Sequence, residues 1–221
     1  MSLYTWPTNE ESVLMSKLKW IWLGLLAAIY ASFSVWYGGN GDPLSQDEGE
    51  AMLKQIEQVH GSKLEDTPEG SMSRNLMAML PNDDGKEFYA VNLETRATGP
   101  DAAEAEARYG EIVVPLLLER GGHPVFISER AGLMLGKYGE EVDRVAVVRY
   151  RSLRDLLDMI ADERMVEGSQ FKNASLAHTE VFITRPTLTF LHVRLIVGML
   201  LGLIAIGGLA IIGRLQRRGS S

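Results

Sequence analysis

Five polar side chains in the middle of this 221-residue chain carry its clearest candidate chemistry: Asn92, Glu94, Arg149, Arg151 and Glu180. In FYAVNLE, Asn92 and Glu94 follow Phe88 and Ala90 at alternate positions. In VAVVRYR, Arg149 and Arg151 follow Val145 and Val147 in the same way. Residues two apart on a strand share a face, so the pattern predicts that the five gather on one free face of a sheet. An arginine beside two carboxylates can orient an acidic or quinone-like ligand, or tune a general base. The same residues also make a salt-bridge set at a subunit interface, or solvated strand ends. This plainer reading is preferred, because no catalytic motif accompanies them.

The chain holds no G-x-S-x-G elbow, no G-x-G-x-x-G and no phosphate loop. His60, His123, His178 and His192 are too scattered for metal-ligand spacing, although His123 and His178 each open an expected strand and can meet at one sheet end. PNDDGKEF lacks the spacing of a calcium loop and its distal glutamate, and reads as a turn. With no cysteine, disulfides and thiolate chemistry are excluded. No catalytic residue, metal or cofactor is assigned.

The elements that position these residues alternate compactly. Lys86–Ala97 reads as a strand, and Asp101–Gly122 as a helix interrupted or kinked at Pro115 and closed by Arg120 and the Gly121-Gly122 pair. HPVFISERAGLML reads as a strand with a turn, and DRVAVVRYRS as the clearest strand of the chain. LRDLLDMIADERM carries Leu153, Leu156, Leu157 and Ile160 on one helical stripe, and HTEVFITRP closes as a strand. The order β-α-β-β-α-β is the split ferredoxin-like arrangement, α+β, with both helices on one face of an antiparallel sheet. Upstream, GGNGDPLSQDEGE is a linker that feeds a helix capped by Ser45 and ended by Gly61. LEDTPEGS is a turn, and MSRNLMAML a short helix.

Two uncharged apolar runs flank this middle, Trp20–Tyr37 and Leu195–Gly213. Each can cross a hydrocarbon core of roughly 30 Å, where only a helix satisfies its own backbone. Trp20, Trp22, Trp36 and Tyr37 stand at the ends of the first run as aromatic anchors. Lys17 and Lys19 precede it, and Arg214, Arg217 and Arg218 follow the second, which places both termini in the cytoplasm and the middle outside. The chain therefore reads as a two-pass protein of the inner (cytoplasmic) membrane with a periplasmic domain. Its parts are a tail at 1–19, a span at 20–37, a linker and helical segment at 38–85, the ferredoxin-like domain at 86–186, a second span with its lead-in at 187–213, and a basic tail at 214–221. Gly24, Ala28 and Ser32 on the first span, and Gly198 and Gly202 on the second, form small-residue stripes expected to pack helices within or between chains. Neither span contains an ionisable residue, which argues against an ion path. Between Gly38 and Val193 lie 16 Lys and Arg against 27 Asp and Glu, a balance of −11 that excludes nucleic acid as a partner.

Together, PLLLERGG leading into a strand, VDRVAVVRYRSLRDLLDMIAD and the terminal TEVFITR resemble the dimeric α/β-barrel superfamily over Lys86–Pro186. The similarity is to its uncharacterised small-domain branch, distantly similar to the antibiotic-biosynthesis monooxygenases. This resemblance implies a homodimer or larger oligomer in which the open sheet face packs on a second copy. The function expected is that of a membrane-anchored structural or interaction protein, in contact with lipid and accessory to a larger membrane complex. The alternative is a monooxygenase-like enzyme or a binder of a small hydrophobic molecule.

Overall fold

The computed structural model describes residues 9–39, 41–61, 68–188 and 192–218. The expected tail before residue 9, Asn40 of the linker, the LEDT part of the turn, residues 189–191 of the lead-in and the last three residues lie outside them. Seven α-helices run α1 (Asn9–Gly38), α2 (Gln46–His60), α3 (Met72–Met79), α4 (Ala102–Glu119), α5 (Leu153–Ile160), α6 (Arg164–Ser175) and α7 (Val193–Arg218). Four strands, β1 (Phe88–Arg96), β2 (His123–Glu129), β3 (Arg144–Tyr150) and β4 (Leu176–Thr184), complete the fold. The chain divides into two compact units, Met1–Trp36 with Leu188–Ser221, and Tyr37–Thr187.

The first unit is a pair of apolar helices. Ser16–Gly38 and Val193–Arg217, of 23 and 25 residues, are long and apolar enough to cross a membrane. They run antiparallel: Lys19 donates to the Gln216 side chain at 3.2 Å, and the Tyr30 hydroxyl to the Arg194 carbonyl at 3.4 Å. Their close approach is large against small. The Trp22 indole occupies the space that a side chain at Gly208 would need, and the Tyr30 ring lies 3.5 Å from the Cβ position of Gly198. Of the expected small-residue stripes, only Gly198 meets the other helix within one chain: Gly24 and Gly202 face open space, and Ala28 and Ser32 are exposed. The physical reason is that aromatic rings at Trp22 and Tyr30 fill the gap between helices, which leaves glycine useful only opposite a ring.

The second unit is built on one four-stranded antiparallel sheet, in the order β2-β3-β1-β4. Its helices cover one face. Leu53 and Ile56 of α2, Leu76 of α3 and Leu80 just beyond it pack with Phe88, Leu153, Leu157 and Ile160, and Val113, Leu116 and Leu117 of α4 pack with Met159 and Met165. Ser45 and Glu48 close a capping box on α2, and Gly61 ends that helix in the left-handed region. Of the expected kink or break at Pro115, the break does not occur: helix α4 runs through it. The second crossover holds two helices rather than one, because α6 follows the Asp162 turn after α5. Low apolar periodicity in RMVEGSQFKNAS hides α6 in the sequence, since only Met165, Gly168 and Ser175 of its residues are buried.

Gly208→Val is expected to push Trp22 out of its seat and to cost the helix pair about 1–3 kcal/mol by overpacking. Gly24→Val and Gly202→Val should leave it unchanged. Thermal unfolding of the full chain in detergent, followed by tryptophan fluorescence, checks this ranking.

Candidate functional site

Register decides which side chains share a face. Cross-strand pairs Tyr89–Arg149, Val91–Val147 and Leu93–Val145 set odd positions of β1 and β3 together, and Thr184, Phe182 and Glu180 of β4 join the same face. His123, Phe126 and Ser128 of β2 complete it. Even positions point the other way, into the helices, where Phe88, Ala90, Asn92 and Glu94 are all buried. The expected gathering of five polar residues therefore splits. Arg149 and Glu180 lie on the open face, at its opposite ends by register, while Asn92 and Glu94 are on the helix-covered face. Period-two alternation reports which residues of one strand share a face, but not which parity of the next strand pairs with them. Arg151 lies past the end of β3, where it holds Asp155 with two nitrogens at 2.8 and 2.5 Å and so braces the start of α5. Ser152 caps that same helix.

Arg149 is the most constrained side chain in the unit, at 1% exposure. Its Nε donates to Glu87 at 2.8 Å and its Nη2 bonds the same carboxylate oxygen. Nη1 donates to the Gly121 carbonyl at 2.7 Å, and Nη2 also to the Tyr37 carbonyl at 2.9 Å. The Tyr37 ring covers the guanidinium with its centroid 3.7 Å from Cζ, stacks on His123 at 5.8 Å, and its hydroxyl meets His123 Nε2 at 3.3 Å. The glycine pair makes this geometry available. Gly121 sits at φ 69°, turning its carbonyl toward Arg149, and a Cβ on Gly122 would stand 2.8 Å from the Arg149 carbonyl. Burial, then the Glu87 charge, raises the Tyr89 pKa.

The rest of the open face is apolar at its centre, with Val91, Leu93, Val145 and Val147, and flanked by the exposed rings of Phe126 and Phe182. At the end away from Arg149, the loop between β2 and β3 crosses to β4, where the Tyr138 hydroxyl donates to Glu180 at 2.8 Å. His178 lies at this far end, opposite Thr95, and so does not meet His123.

On the helix side a second polar group is enclosed. Arg144 donates to Glu94 at 2.6 Å and also binds Glu106 of α4. Asn92 donates to the Ala146 carbonyl at 3.0 Å. Beside them the Lys172 amine lies 5.8 Å from the Tyr109 ring centroid, and among the described residues it has no carboxylate within ion-pair distance. Burial holds that amine below the usual range. Burial, aided by Glu94, pushes Tyr109 up to about 12. Among the described residues no group of three or more potential metal ligands is found.

Sequence reasoning missed Tyr37, Glu87, Tyr109, Lys172 and the loop residues. Tyr37 reads as an interfacial anchor because its neighbours are tryptophans, and its true partner lies 112 positions away. Lys172 carries no signal, since one cation on a weakly patterned helix looks solvated.

No family model matches this chain. No curated protein matches it either. Among solved structures, it is similar to the RPA0582 protein of unknown function from Rhodopseudomonas palustris, with 25% identity and a TM-score of 0.47, over 56% of this chain and 97% of that one. The methylated RPA0582 protein gives 24% identity and a TM-score of 0.47, over 56% and 96% of the two chains.

Removing the carboxylate partner of a buried guanidinium strands its charge, at about 3–5 kcal/mol. Glu87→Gln is therefore expected to destabilise Tyr37–Thr187 within the full chain by up to that amount, since Arg149 is buried. Arg149→Lys should do nearly as badly, because an ammonium cannot reach Glu87 and two carbonyls in one plane. Arg149→Met removes the charge itself, leaves the half-exposed Glu87 to water and unpairs the Gly121 and Tyr37 carbonyls, and should cost less. Chemical unfolding of the three variants followed by far-ultraviolet circular dichroism ranks them.

Proposed function

We propose that this chain is a membrane-anchored interaction protein. In this reading two spans hold a ferredoxin-like domain on the outer side of the cytoplasmic membrane, and that domain pairs with a second copy through its open sheet face. It serves as an accessory subunit of a larger membrane complex. The single observation that carries the proposal is the open face itself: valines and a leucine at its centre, phenylalanines at its edges, and the helices of its own unit packed on the opposite face. An antiparallel sheet tolerates one wet face when that face is polar, and this one is not. The strand order, with α2 to α6 packed on one side, supports the ferredoxin-like reading, and so does the resemblance to the dimeric α/β-barrel superfamily. The basic residues outside the two apolar runs support the orientation.

Native mass measurement of the full chain in detergent is expected to give a dimer or higher assembly. Val147→Arg, which sets a charge at the centre of the face, should weaken that assembly at least about 10-fold, as loss of a central contact does. A wild-type chain that runs as a lone monomer at every concentration overturns the proposal.

A second reading, a binder or monooxygenase-like enzyme for a small hydrophobic molecule, is favoured by one observation. Lys172 is a buried amine left without an ion pair, beside Tyr109 and the Glu94–Arg144 pair. Its charged form is penalised in the fold, so this cost is full at neutral pH and fades as pH rises toward the usual amine range. Lys172→Met should therefore raise the melting temperature at pH 7, with the gain shrinking toward pH 10. Under the second reading the same variant loses turnover or ligand binding in membrane extracts. Stabilisation with no such loss removes the enzyme alternative.

A further inference from the structure

The helix layer of the second unit stops short of β4, and a groove opens where it stops. Alternation along β4 turns Ile183 to the helix-covered side, beside Ala90 of β1, yet Ile183 stays exposed while Ala90 is buried. The opposite wall is the end of α3, closed by Pro81 in the 3₁₀ turn Leu80–Asn82. Leu80 turns into the core there, and Met79 is left half-buried on the wall. Phe88 and Leu153, both buried, line the depth. The groove has a volume of about 330 Å³, at the lower end of the roughly 300–1,000 Å³ of small-molecule sites.

The lining selects by charge. Phe88, Leu153, Met79 and Ile183 make the interior apolar, and Phe88 is held by stacking on Tyr150 at 5.5 Å. Met79, unbranched and polarisable, adapts to irregular shapes. The charged groups at the mouth are already answered. Arg185 pairs with Asp84 at 2.9 Å, and the Asp83 carboxylate accepts the Leu44 N–H at 2.7 Å. An anionic head would lie against Asp83 and a cationic head against Arg185, so either gains its own contact only by breaking one of these. The Thr184 hydroxyl donates to the Tyr89 carbonyl at 3.3 Å. Asn82 differs from all of them. Among the described residues its amide makes no hydrogen bond, so it keeps a donor and an acceptor for a neutral group.

We propose that this groove binds an uncharged small molecule with an apolar body and one hydrogen-bonding head, such as an alcohol, a phenol or an amide. The body lies over Phe88 and Leu153 between Met79 and Ile183, and the head meets the Asn82 amide. The occupant bridges α3 and β4 and completes the helix layer where it stops short. This site stands apart from both readings above. It is on the helix side of the sheet, away from the open face. Phe88 and Glu94 stand at opposite ends of the β1–β3 pairing, so it is also remote from the neighbours of Lys172.

Diazirine probes of equal chain length, bearing an alcohol, a carboxylate or an amine, are photoactivated with the full chain in lipid nanodiscs. Adducts are then mapped by peptide mass. Labelling of the two exposed apolar helices is the internal standard for probe dissolved in lipid. The alcohol is expected to label Met79 and Ile183 above that standard, and the carboxylate and amine are not. Ala78→Trp on one wall and Ile183→Trp on the other should each cut labelling at Met79 at least about 10-fold, with circular dichroism unchanged. Asn82→Ala should remove the preference for the alcohol over a hydrocarbon of the same length. Equal labelling by all three probes, or labelling indifferent to both tryptophans, overturns the site. Preference for the carboxylate or the amine overturns its chemistry. Val147→Arg and Lys172→Met should leave the labelling unchanged, and its loss in either variant also overturns the groove, by placing the probe at the open face or beside the buried amine.

Discussion

A guanidinium cannot be taken out of water unless nearly all its donors find acceptors, and at Arg149 this requirement organises the domain. The acceptors come from three places far apart in sequence: Glu87 just before β1, the Gly121 carbonyl in the α4–β2 turn, and the Tyr37 carbonyl where the domain begins. None can move without stranding a buried charge. Arg149 thus fixes the start of the domain, the return of α4 to the sheet and the register of β1 in one constellation. The Tyr37 ring adds a cation–π contact from above. A lysine or methionine at 149 would fill part of the volume and satisfy none of that geometry.

The two faces of the sheet spend their polarity differently. On the helix side, Glu94, Arg144 and Glu106 form an enclosed network, braced by Arg96, whose Nη1 reaches Glu129 at 3.0 Å. Such a network specifies how α4 lies on the sheet more than it adds stability, since desolvation offsets most of the Coulomb gain. On the open side the charges sit at the two ends and the centre is aliphatic. A ligand site would ordinarily place a few polar groups at the middle of an apolar recess. A face with the reverse pattern fits another protein surface better, and this difference ranks pairing above catalysis.

Much of this was legible in the sequence, and the losses have physical causes. Uncharged runs of lipid-crossing length are a composition signal, and the order of strands and helices follows from periodicity, so both were readable. The Gly121-Gly122 turn was readable because only glycine fits there. The assignment of faces was not. The polarity of Asn92 and Glu94 suggested water, yet both are buried because Arg144 and the Ala146 carbonyl answer them. Pairing across strands is long-range information that one strand does not carry. Leu133–Leu135 fell inside a stretch read as a strand with a turn; the strand stops at Glu129 and these three side chains stand exposed in the loop after it.

Anchoring changes what such a surface has to achieve. Free in solution, a domain with a modest apolar centre and charged ends would dimerise weakly, since buried area does not convert directly into affinity. Under the proposed reading, two spans per chain would confine the domains to one layer, so part of the entropy of association would already be lost before contact. Tethering of this kind raises effective concentration, toward the millimolar range for short linkers. The contact then needs only moderate complementarity to persist. The links here are short: Gly38 and Gly39 directly adjoin Tyr37, and Thr184 precedes Val193 by nine positions. An interface tuned for this setting can stay mixed in polarity and avoid a long hydrophobic surface prone to aggregation. The open face has that composition, apolar at its centre and charged at its ends.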